Sequence, residues 1–285
     1  MKISTEIDSF AKFCGEEKAI EYAAKAGFDG WDFSMFTNIG KYDWNTRQFD
    51  TTGCVLSGAQ YLKHVRNLKQ VGLDNGIVCN QSHAPFPVDC PGIRSSLKRA
   101  IECTAEAGGS ICIIHPDNNK SPEENAEMYL ELLPFAKSCG VKIATENMWN
   151  WDHEKDHASP AACSDPKSFN AHLDAVNDDF LVACLDIGHA EMKGCNTSAK
   201  EMILALGSRL QALHIHDNDL WHDSHQIPFS MQIDFEAMVT ALKQINYQGY
   251  LTLEAAYYIP TYYQDNIQQG LANLAASAKK LSDMF

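Results

Sequence analysis

Short apolar runs that suit β-strands alternate along the chain with longer segments whose apolar residues recur at helical spacing. This alternation is typical of β-α units that build a parallel sheet. Glycines directly after the helical segments, such as Gly27, Gly72, Gly140 and Gly207, are expected to be helix C-caps. We predict strands at residues 2–6, 30–35, 76–83, 110–115, 141–146, 181–186, 210–216 and 250–254, and helices at 18–26, 59–71, 93–107, 122–139, 166–176, 197–206, 235–245 and 267–281.

Eight β-α units in 285 residues predict an α/β fold, a single (β/α)8 TIM barrel with its active site at the C-terminal ends of the strands. An open doubly wound sheet is the alternative, but it normally carries a glycine-rich loop after the first strand, and residues 6–13 contain no glycine. No linker or repeat divides the sequence, so residues 1–285 are expected to form one domain. The long connections 36–57, 147–165 and 218–233 all follow strands and are expected to cover the active site.

Composition and charge narrow the function classes. The formal net charge of −14 and the lack of a Lys or Arg cluster argue against a nucleic-acid partner. The ten cysteines are scattered without a Cys-x-x-Cys pair, so free thiols in a reducing compartment are expected. No apolar stretch has the length of a signal-peptide core or a membrane span. We expect a cytoplasmic protein without membrane contact, and assembly into a homo-oligomer is left open.

Polar side chains that bind metals stand at the ends of six successive apolar runs. A single His or Glu at a strand end is more often a hydrogen-bonded or solvated structural residue. Several anionic groups sharing one barrel mouth, however, would repel one another without a cation. The six residues are His83, His115, Glu146, Asp186, His214 and Glu254.

The last four predicted strands supply the most coherent set, Glu146, Asp186, His214 and Glu254. In a closed barrel these residues come from adjacent strands and converge on one point. Carboxylates combined with one imidazole suit a divalent cation such as Mn²⁺, Mg²⁺, Zn²⁺ or Co²⁺. The sequence therefore predicts one divalent metal at this end of the barrel.

The motifs Thr-Glu146-Asn, Leu-Asp186-Ile-Gly-His189, Leu-His214-Ile-His-Asp217 and Leu-Thr-Leu-Glu254 resemble those of the xylose isomerase-like barrel superfamily of sugar (phosphate) isomerases and epimerases. The resemblance implies that these four residues hold the metal, that the two glutamates act as acid and base, and that His189 contacts the substrate. His216 stands where many relatives have a lysine. A phosphate or carboxylate contact by that lysine is therefore in doubt, and His216 becomes a candidate for substrate binding.

The chain also resembles endonuclease IV of the same superfamily, which binds three zinc ions. That likeness implies a capacity for more than one zinc. The residues that match its ligands are Glu146, Asp186, His189, His214 and Glu254, together with His83, His115, Asp223 and His225 as additional metal ligands. The alternative for the three histidines is hydrogen bonding to substrate or structural packing. The acidic balance of the chain disfavours a DNA-repair role.

The favoured function is a metal-dependent isomerase or epimerase of a small ketose, keto-polyol, sugar acid or sugar phosphate, acting through an enediolate with Glu146 and Glu254 as the proton-transfer pair. The alternatives are a lyase or dehydratase with His115 or His225 as general acid, a trinuclear-zinc phosphodiesterase, and a barrel that only binds a sugar. Aromatic residues near the strand ends, including Trp31 and Trp149, are candidates for contact with a carbohydrate substrate, and Trp44 for a lid.

Overall fold

The computed structural model describes residues 1–285 and has eight parallel strands that form one barrel, as predicted. Four additional short strands form two antiparallel hairpins outside it. In chain order the strands are β1 (Ile3–Glu6), β2 (Gly30–Ser34), β3 (Lys41–Asp43), β4 (Gln48–Asp50), β5 (Val78–His83), β6 (Ile111–Ile113), β7 (Lys142–Glu146), β8 (Trp149–Asp152), β9 (His157–Pro160), β10 (Leu181–Asp186), β11 (Leu210–His214) and β12 (Leu251–Leu253).

The barrel strands follow the order β11-β10-β7-β6-β5-β2-β1-β12, so β11 and β12 lie at the two ends of the sheet. Ile215, the residue after β11, joins these ends. Its amide donates to the carbonyl of Thr252 at 2.9 Å and its carbonyl accepts from the amide of Glu254 at 2.9 Å. Seven of the eight predicted strands are shorter than expected by one to three residues, and only β10 keeps its predicted bounds. The C-terminal ends differ most at β6, which ends before His115, and at β11, which ends at His214.

The helices pack around the barrel and bury a continuous apolar layer against it. All eight predicted helices form, and three short ones, at Asp8–Cys14, Ile187–Glu191 and Tyr258–Tyr262, were not predicted. No helix combines the length and the apolar character needed to cross a bilayer. The helices are α1 (Asp8–Cys14), α2 (Glu16–Ala26), α3 (Tyr61–Asp74), α4 (Ile93–Ala107), α5 (Pro122–Cys139), α6 (Pro166–Val176), α7 (Ile187–Glu191), α8 (Ala199–Leu206), α9 (Phe235–Gln244), α10 (Tyr258–Tyr262) and α11 (Ile267–Asp283).

The residues that cap the helices are those expected from the sequence, with one exception. Ser121 and Glu124 form a capping box at the start of α5. Gly27 and Gly140 end their helices in the left-handed region, as predicted. Gly72, in contrast, lies inside α3 and is not a cap. A Cβ atom there would lie 3.1 Å from the indole nitrogen of Trp31, so this glycine permits close packing of helix against barrel.

The long connections at the C-terminal ends of the strands carry structure of their own. Residues 36–57 contain the hairpin β3–β4, and residues 147–165 contain the hairpin β8–β9. Asp217 organises the third connection. Its carboxylate accepts hydrogen bonds from the amides of Asn218, Met231, Gln232 and Ile233 at 2.8–3.1 Å. Asp217 therefore fixes the loop that carries Asp223 and His225.

Candidate active site

The structure brings Glu146, Asp186, His214 and Glu254 together at the C-terminal end of the barrel. Glu146, Asp186 and His214 are the last residues of β7, β10 and β11, and Glu254 follows β12 directly. The parallel register places Asp186 opposite His214. All four side chains are buried, and one ligand atom from each lies within 4.8 Å of those of the others. We call these residues the primary ligand group.

His214 lies at the centre of the primary ligand group. Its Nδ1 atom is 2.9 Å from Oε1 of Glu146 and 3.5 Å from Oε2 of Glu254. Its Nε2 atom faces Asp32, a buried residue of β2 that the sequence did not single out, at 3.3 Å. Asp32 is held by Gln81, whose amide donates to it at 2.8 Å, and by the Ser34 hydroxyl at 3.1 Å.

Burial alone would lower the pKa of His214, but the surrounding Glu254 and Glu146 carboxylates and Asp32 hold it well above its usual range. Burial alone would raise the pKa of Glu146, and contacts with His214, His115 and His83 outweigh it and hold that pKa well below its usual range. The pKa of Glu254 is raised, by burial first. Two neighbouring glutamates thus have pKa values displaced in opposite directions.

Several buried polar atoms in this region make no hydrogen bond of suitable geometry, among them Oδ2 of Asp186 and Oε2 of Glu146, although His115 and His83 lie 3.2 and 3.5 Å from the latter. A buried carboxylate oxygen without a partner is costly, so such atoms in native proteins call for an explanation. Both belong to the primary ligand group, whose carboxylate and imidazole atoms suit a divalent cation. The residues present therefore fit a metal ion.

A second ligand group lies beside the first and consists of His189, His216, Asp223 and His225. The Asp223 carboxylate is 3.2 Å from His225, 3.3 Å from His189 and 3.5 Å from His216. His216 stacks on His225 with ring centroids 3.9 Å apart, and its Nε2 atom is 3.1 Å from Asp186. Despite these short distances, Nε2 of His216 and Oδ1 of Asp223 are buried without a hydrogen bond of suitable angle.

A third ligand group, His83, His115 and Glu146, shares a glutamate with the first. The Nε2 atoms of the two histidines are 2.8 Å apart, and Oε2 of Glu146 is 3.2 Å from His115 and 3.5 Å from His83. Burial, followed by the proximity of His83, lowers the pKa of His115 to about 4. His115 is therefore neutral near pH 7, so the close approach of the two ring nitrogens does not bring two positive charges together.

Asn147 and Gly188 shape the connection between the first two ligand groups, and neither was singled out from the sequence. The Asn147 side chain accepts from the Asp186 amide at 2.8 Å and donates to the Asp186 carbonyl at 2.9 Å. The Asn147 carbonyl lies 2.9 Å from Nδ1 of His189. A Cβ atom on Gly188 would lie 2.0 Å from the His216 ring, so only glycine leaves room for that imidazole.

A cavity of about 810 Å³ opens above the ligand groups. Its floor includes His83, His115, Glu146, His189 and Glu254, and Phe36, Phe86 and Trp149 contribute to its walls. Arg47 is the only Lys or Arg residue that lines it. The cavity is therefore acidic and aromatic, and its deepest part is lined by groups able to bind a metal.

Three residues proposed for substrate contact have different positions. Trp149 lines the cavity, next to His189. Trp31 does not line the cavity. Side chains alternate along β2, so Trp31 points to the opposite side from Asp32 and Ser34 and is fully buried beside Phe33. This corrects the expectation for Trp31. His216 is also fully buried and belongs to the second ligand group rather than to the cavity wall.

Comparisons with known proteins agree with this architecture. Residues 20–277 match the family described as Xylose isomerase-like TIM barrel. An uncharacterized protein of Methanocaldococcus jannaschii is 26% identical over 226 residues, which cover 72% of this chain and 74% of that protein. D-allulose 3-epimerase from Methylomonas sp. superposes with a TM-score of 0.72 at 19% identity, covering 100% of this chain and 98% of the other. D-psicose 3-epimerase from Clostridium cellulolyticum H10 superposes with a TM-score of 0.69 at 16% identity, covering 99% of this chain and 98% of the other.

Proposed function

We propose, from the premise that the chain belongs to the xylose isomerase-like TIM barrel family, that it is a divalent-metal-dependent epimerase or isomerase of a small keto sugar. One observation carries the proposal. Glu146 and Glu254 both lie within contact distance of Nδ1 of His214, at the floor of a cavity large enough for a carbohydrate. The structural similarity to sugar epimerases supports the same reaction class.

The residues that would hold the metal are Glu146, Asp186, His214 and Glu254. The unpartnered oxygens of Glu146 and Asp186 support this assignment, because each needs a compensating positive charge. A bound Mn²⁺, Mg²⁺, Zn²⁺ or Co²⁺ would act as a Lewis acid that polarises the substrate carbonyl and stabilises negative charge on its oxygen.

Glu146 and Glu254 exchange protons with the substrate carbon next to the carbonyl. One carboxylate removes the proton, and the other group, in its acid form, returns a proton to the same carbon from the opposite side, which inverts its configuration. Return of the proton to the neighbouring carbon would give aldose–ketose isomerisation from the same two groups. Burial of both side chains keeps bulk water away from these protons.

His189 and Trp149 position the substrate. His189 lines the cavity, and its ring is fixed by the Asn147 carbonyl at 2.9 Å and by Asp223 at 3.3 Å. An imidazole held in this way presents a defined edge to a substrate hydroxyl. Trp149 lies 6.3 Å from that ring and offers an aromatic face to the apolar side of a sugar.

A second candidate function is a multinuclear-zinc phosphodiester hydrolase, and the second and third ligand groups favour it. Each brings at least three candidate ligand atoms within 4.8 Å of one another, an arrangement that supports binding of more than one zinc. A hydrolase would need those ions to activate water for attack on phosphorus. The epimerase needs only the primary ligand group.

Metal analysis and solvent exchange distinguish the two functions. The purified protein is dialysed with Mn²⁺ or Zn²⁺, its bound metal is counted, and D-fructose, D-psicose, D-tagatose and L-ribulose are incubated with it in D₂O. We expect deuterium next to the carbonyl together with the epimeric sugar. Strand cleavage of an abasic duplex by the zinc-loaded protein, with no exchange into any ketose, would instead establish the hydrolase. Loss of a hydroxyl from a sugar would indicate the lyase or dehydratase.

A further inference from the structure

The cavity extends well beyond the ligand groups. Its distal wall is formed by Tyr42, Trp44 and Arg47 of the β3–β4 hairpin, and by residues 87–89. Cavities of ~300–1,000 Å³ enclose ligands of drug size, whereas one monosaccharide occupies far less space. The volume of about 810 Å³ therefore leaves room beyond a sugar held above Glu146 and Glu254.

An aromatic wall connects the ligand groups with this distal region. Phe86 stacks on His115 with ring centroids 4.9 Å apart and an interplanar angle of 26°. Phe36 packs edge-on against both Phe86 and His83, at 5.4 and 4.7 Å. Beyond them, Tyr42 and Trp44 meet edge to face at 4.9 Å. A ligand that extends outward from the metal-binding residues would meet aromatic surface along its length.

Trp44 is 69% exposed and belongs to a hairpin that is anchored on the core. Tyr42 and Phe49, on opposite strands of the hairpin, pack against the core. At the tip, the Asp43 carboxylate accepts from the Asn45 amide at 2.8 Å, and Arg47 donates its amide to the Asp43 carbonyl at 2.8 Å. Arg47 has a positive φ of 55°, a conformation that non-glycine residues adopt infrequently. The turn therefore holds an exposed indole and a guanidinium at the cavity rim.

The charges of the distal wall do not suit a phosphate. Arg47 is the only cationic side chain of the distal wall, and this wall also carries the carboxylate of Asp89. Phosphate recognition normally uses several charge-assisted donors without a nearby carboxylate. One guanidinium and one carboxylate can instead donate to and accept from the hydroxyl groups of a neutral sugar.

We propose that the distal wall is a subsite for a second sugar ring, so that the substrate is an uncharged ketose-containing disaccharide or glycoside. This inference rests on the proposed function, because it assumes that the ketose part lies above Glu146 and Glu254. The second ring stacks on Trp44, and its hydroxyls bind Arg47 and Asp89. Sugar phosphates and free ketoses lack a group that makes these contacts.

Binding is measured separately from turnover. Isothermal calorimetry with the Mn²⁺-loaded protein compares D-fructose, D-fructose 6-phosphate and isomaltulose, in which a glucosyl group is attached to O6 of fructose. We expect isomaltulose to bind at least tenfold more tightly than D-fructose. Trp44→Ala and Arg47→Ala should each reduce that ratio of dissociation constants about three- to tenfold. Asn45→Ala is the matched control, since Asn45 lies in the same turn but does not line the cavity.

The outcomes separate the subsite from the proposed function. Equal binding of isomaltulose and D-fructose, or a ratio unaffected by Trp44→Ala and Arg47→Ala, would overturn the subsite even if D-fructose exchanges deuterium. Tightest binding of D-fructose 6-phosphate, lost in Arg47→Ala, would replace it with an anion subsite. A strong preference for isomaltulose without deuterium exchange into either ketose would support the subsite and refute the proposed reaction.

Discussion

Nε2 of His214 lies 3.3 Å from Oδ2 of Asp32, on the side of the imidazole that faces away from Glu146 and Glu254. When a cation replaces the proton on Nδ1, a carboxylate in this position would hold the remaining proton on Nε2 and keep the Nδ1 lone pair directed at the primary ligand group. Ligand histidines in metal sites are commonly oriented in this way by a carboxylate or carbonyl. We therefore expect Asp32 to act through His214 as a positioning residue.

Replacing Asp32 with Asn should weaken Mn²⁺ binding about 10- to 100-fold, because the amide no longer favours the required tautomer. Calorimetric titration of the metal-free protein with Mn²⁺ gives the affinity. Asp74→Asn is a suitable control, since Asp74 is exposed on α3 and its carboxylate accepts a hydrogen bond only from the side chain of Gln70. Unchanged Mn²⁺ affinity in Asp32→Asn, with the fold intact by circular dichroism, would remove Asp32 from this role.

Glu254→Gln tests the proton-transfer pair. The amide keeps the shape of the side chain but loses the base, so exchange of deuterium into the substrate should fall about 10²–10⁴-fold while the fold and part of the metal affinity remain. Glu146→Gln should behave similarly. The exposed Glu236→Gln serves as control. Exchange within a few-fold of the unmodified protein would exclude Glu254 from the chemistry.

Site residues that stand at the C-terminal ends of strands could be predicted from the sequence. Glu146, Asp186, His214 and Glu254 could be assigned because parallel strands in a barrel present their C-terminal residues to one face. Their convergence in the structure agrees with that expectation, whereas metal binding itself stays a prediction. The correct fold followed from the regular alternation of strands and helices.

What the sequence did not reveal depends on contacts between distant segments. Asp32 meets His214 across 182 positions, and nothing near either residue in the chain signals the pairing. One signal was present in the sequence. Aromatic residues alternate with polar ones along β2, which indicates that Asp32 and Ser34 face the barrel interior and that Trp31 and Phe33 face the helices. The hairpins were missed because β3, β4, β8 and β9 are short and lack the aliphatic run that marks the equally short barrel strands β6 and β12.

Glu6 should make stability depend on pH. It is buried at the end of β1, and its carboxylate accepts hydrogen bonds from the amide and hydroxyl of Ser9. Burial raises its pKa from 4.5 to about 8. The folded state therefore keeps a proton that the unfolded state releases, so the stability present below pH 4.5 declines as the pH rises toward 8.

Glu6→Gln removes this titration. At pH 8 we expect the variant to be more stable than the unmodified protein by on the order of 1–3 kcal/mol, and at pH 5 the difference should be small. Urea unfolding at several pH values provides the measurement. Glu127→Gln, an exposed position on α5, should change neither value. A difference between the two proteins that does not grow from pH 5 to pH 8 would contradict the argument.

Gly188 should be intolerant of a methyl group because of one neighbour. A Cβ atom there would lie 2.0 Å from Cε1 of His216, and that ring is confined by its stack on His225. Gly188→Ala should therefore lower the free energy of unfolding by about 1–3 kcal/mol or displace the imidazole. Gly58→Ala is the control, because the nearest atom to its added Cβ, the Val55 carbonyl oxygen, is 3.5 Å away.

A double variant identifies the cause of that loss. If the clash with His216 is responsible, Gly188→Ala combined with His216→Ala should be less destabilised than the sum of the two single variants, since the second change makes room for the first. Urea unfolding of the four proteins of the cycle measures this coupling. Additive losses would mean that Gly188 is required for the backbone of α7 rather than for the space that the His216 ring occupies.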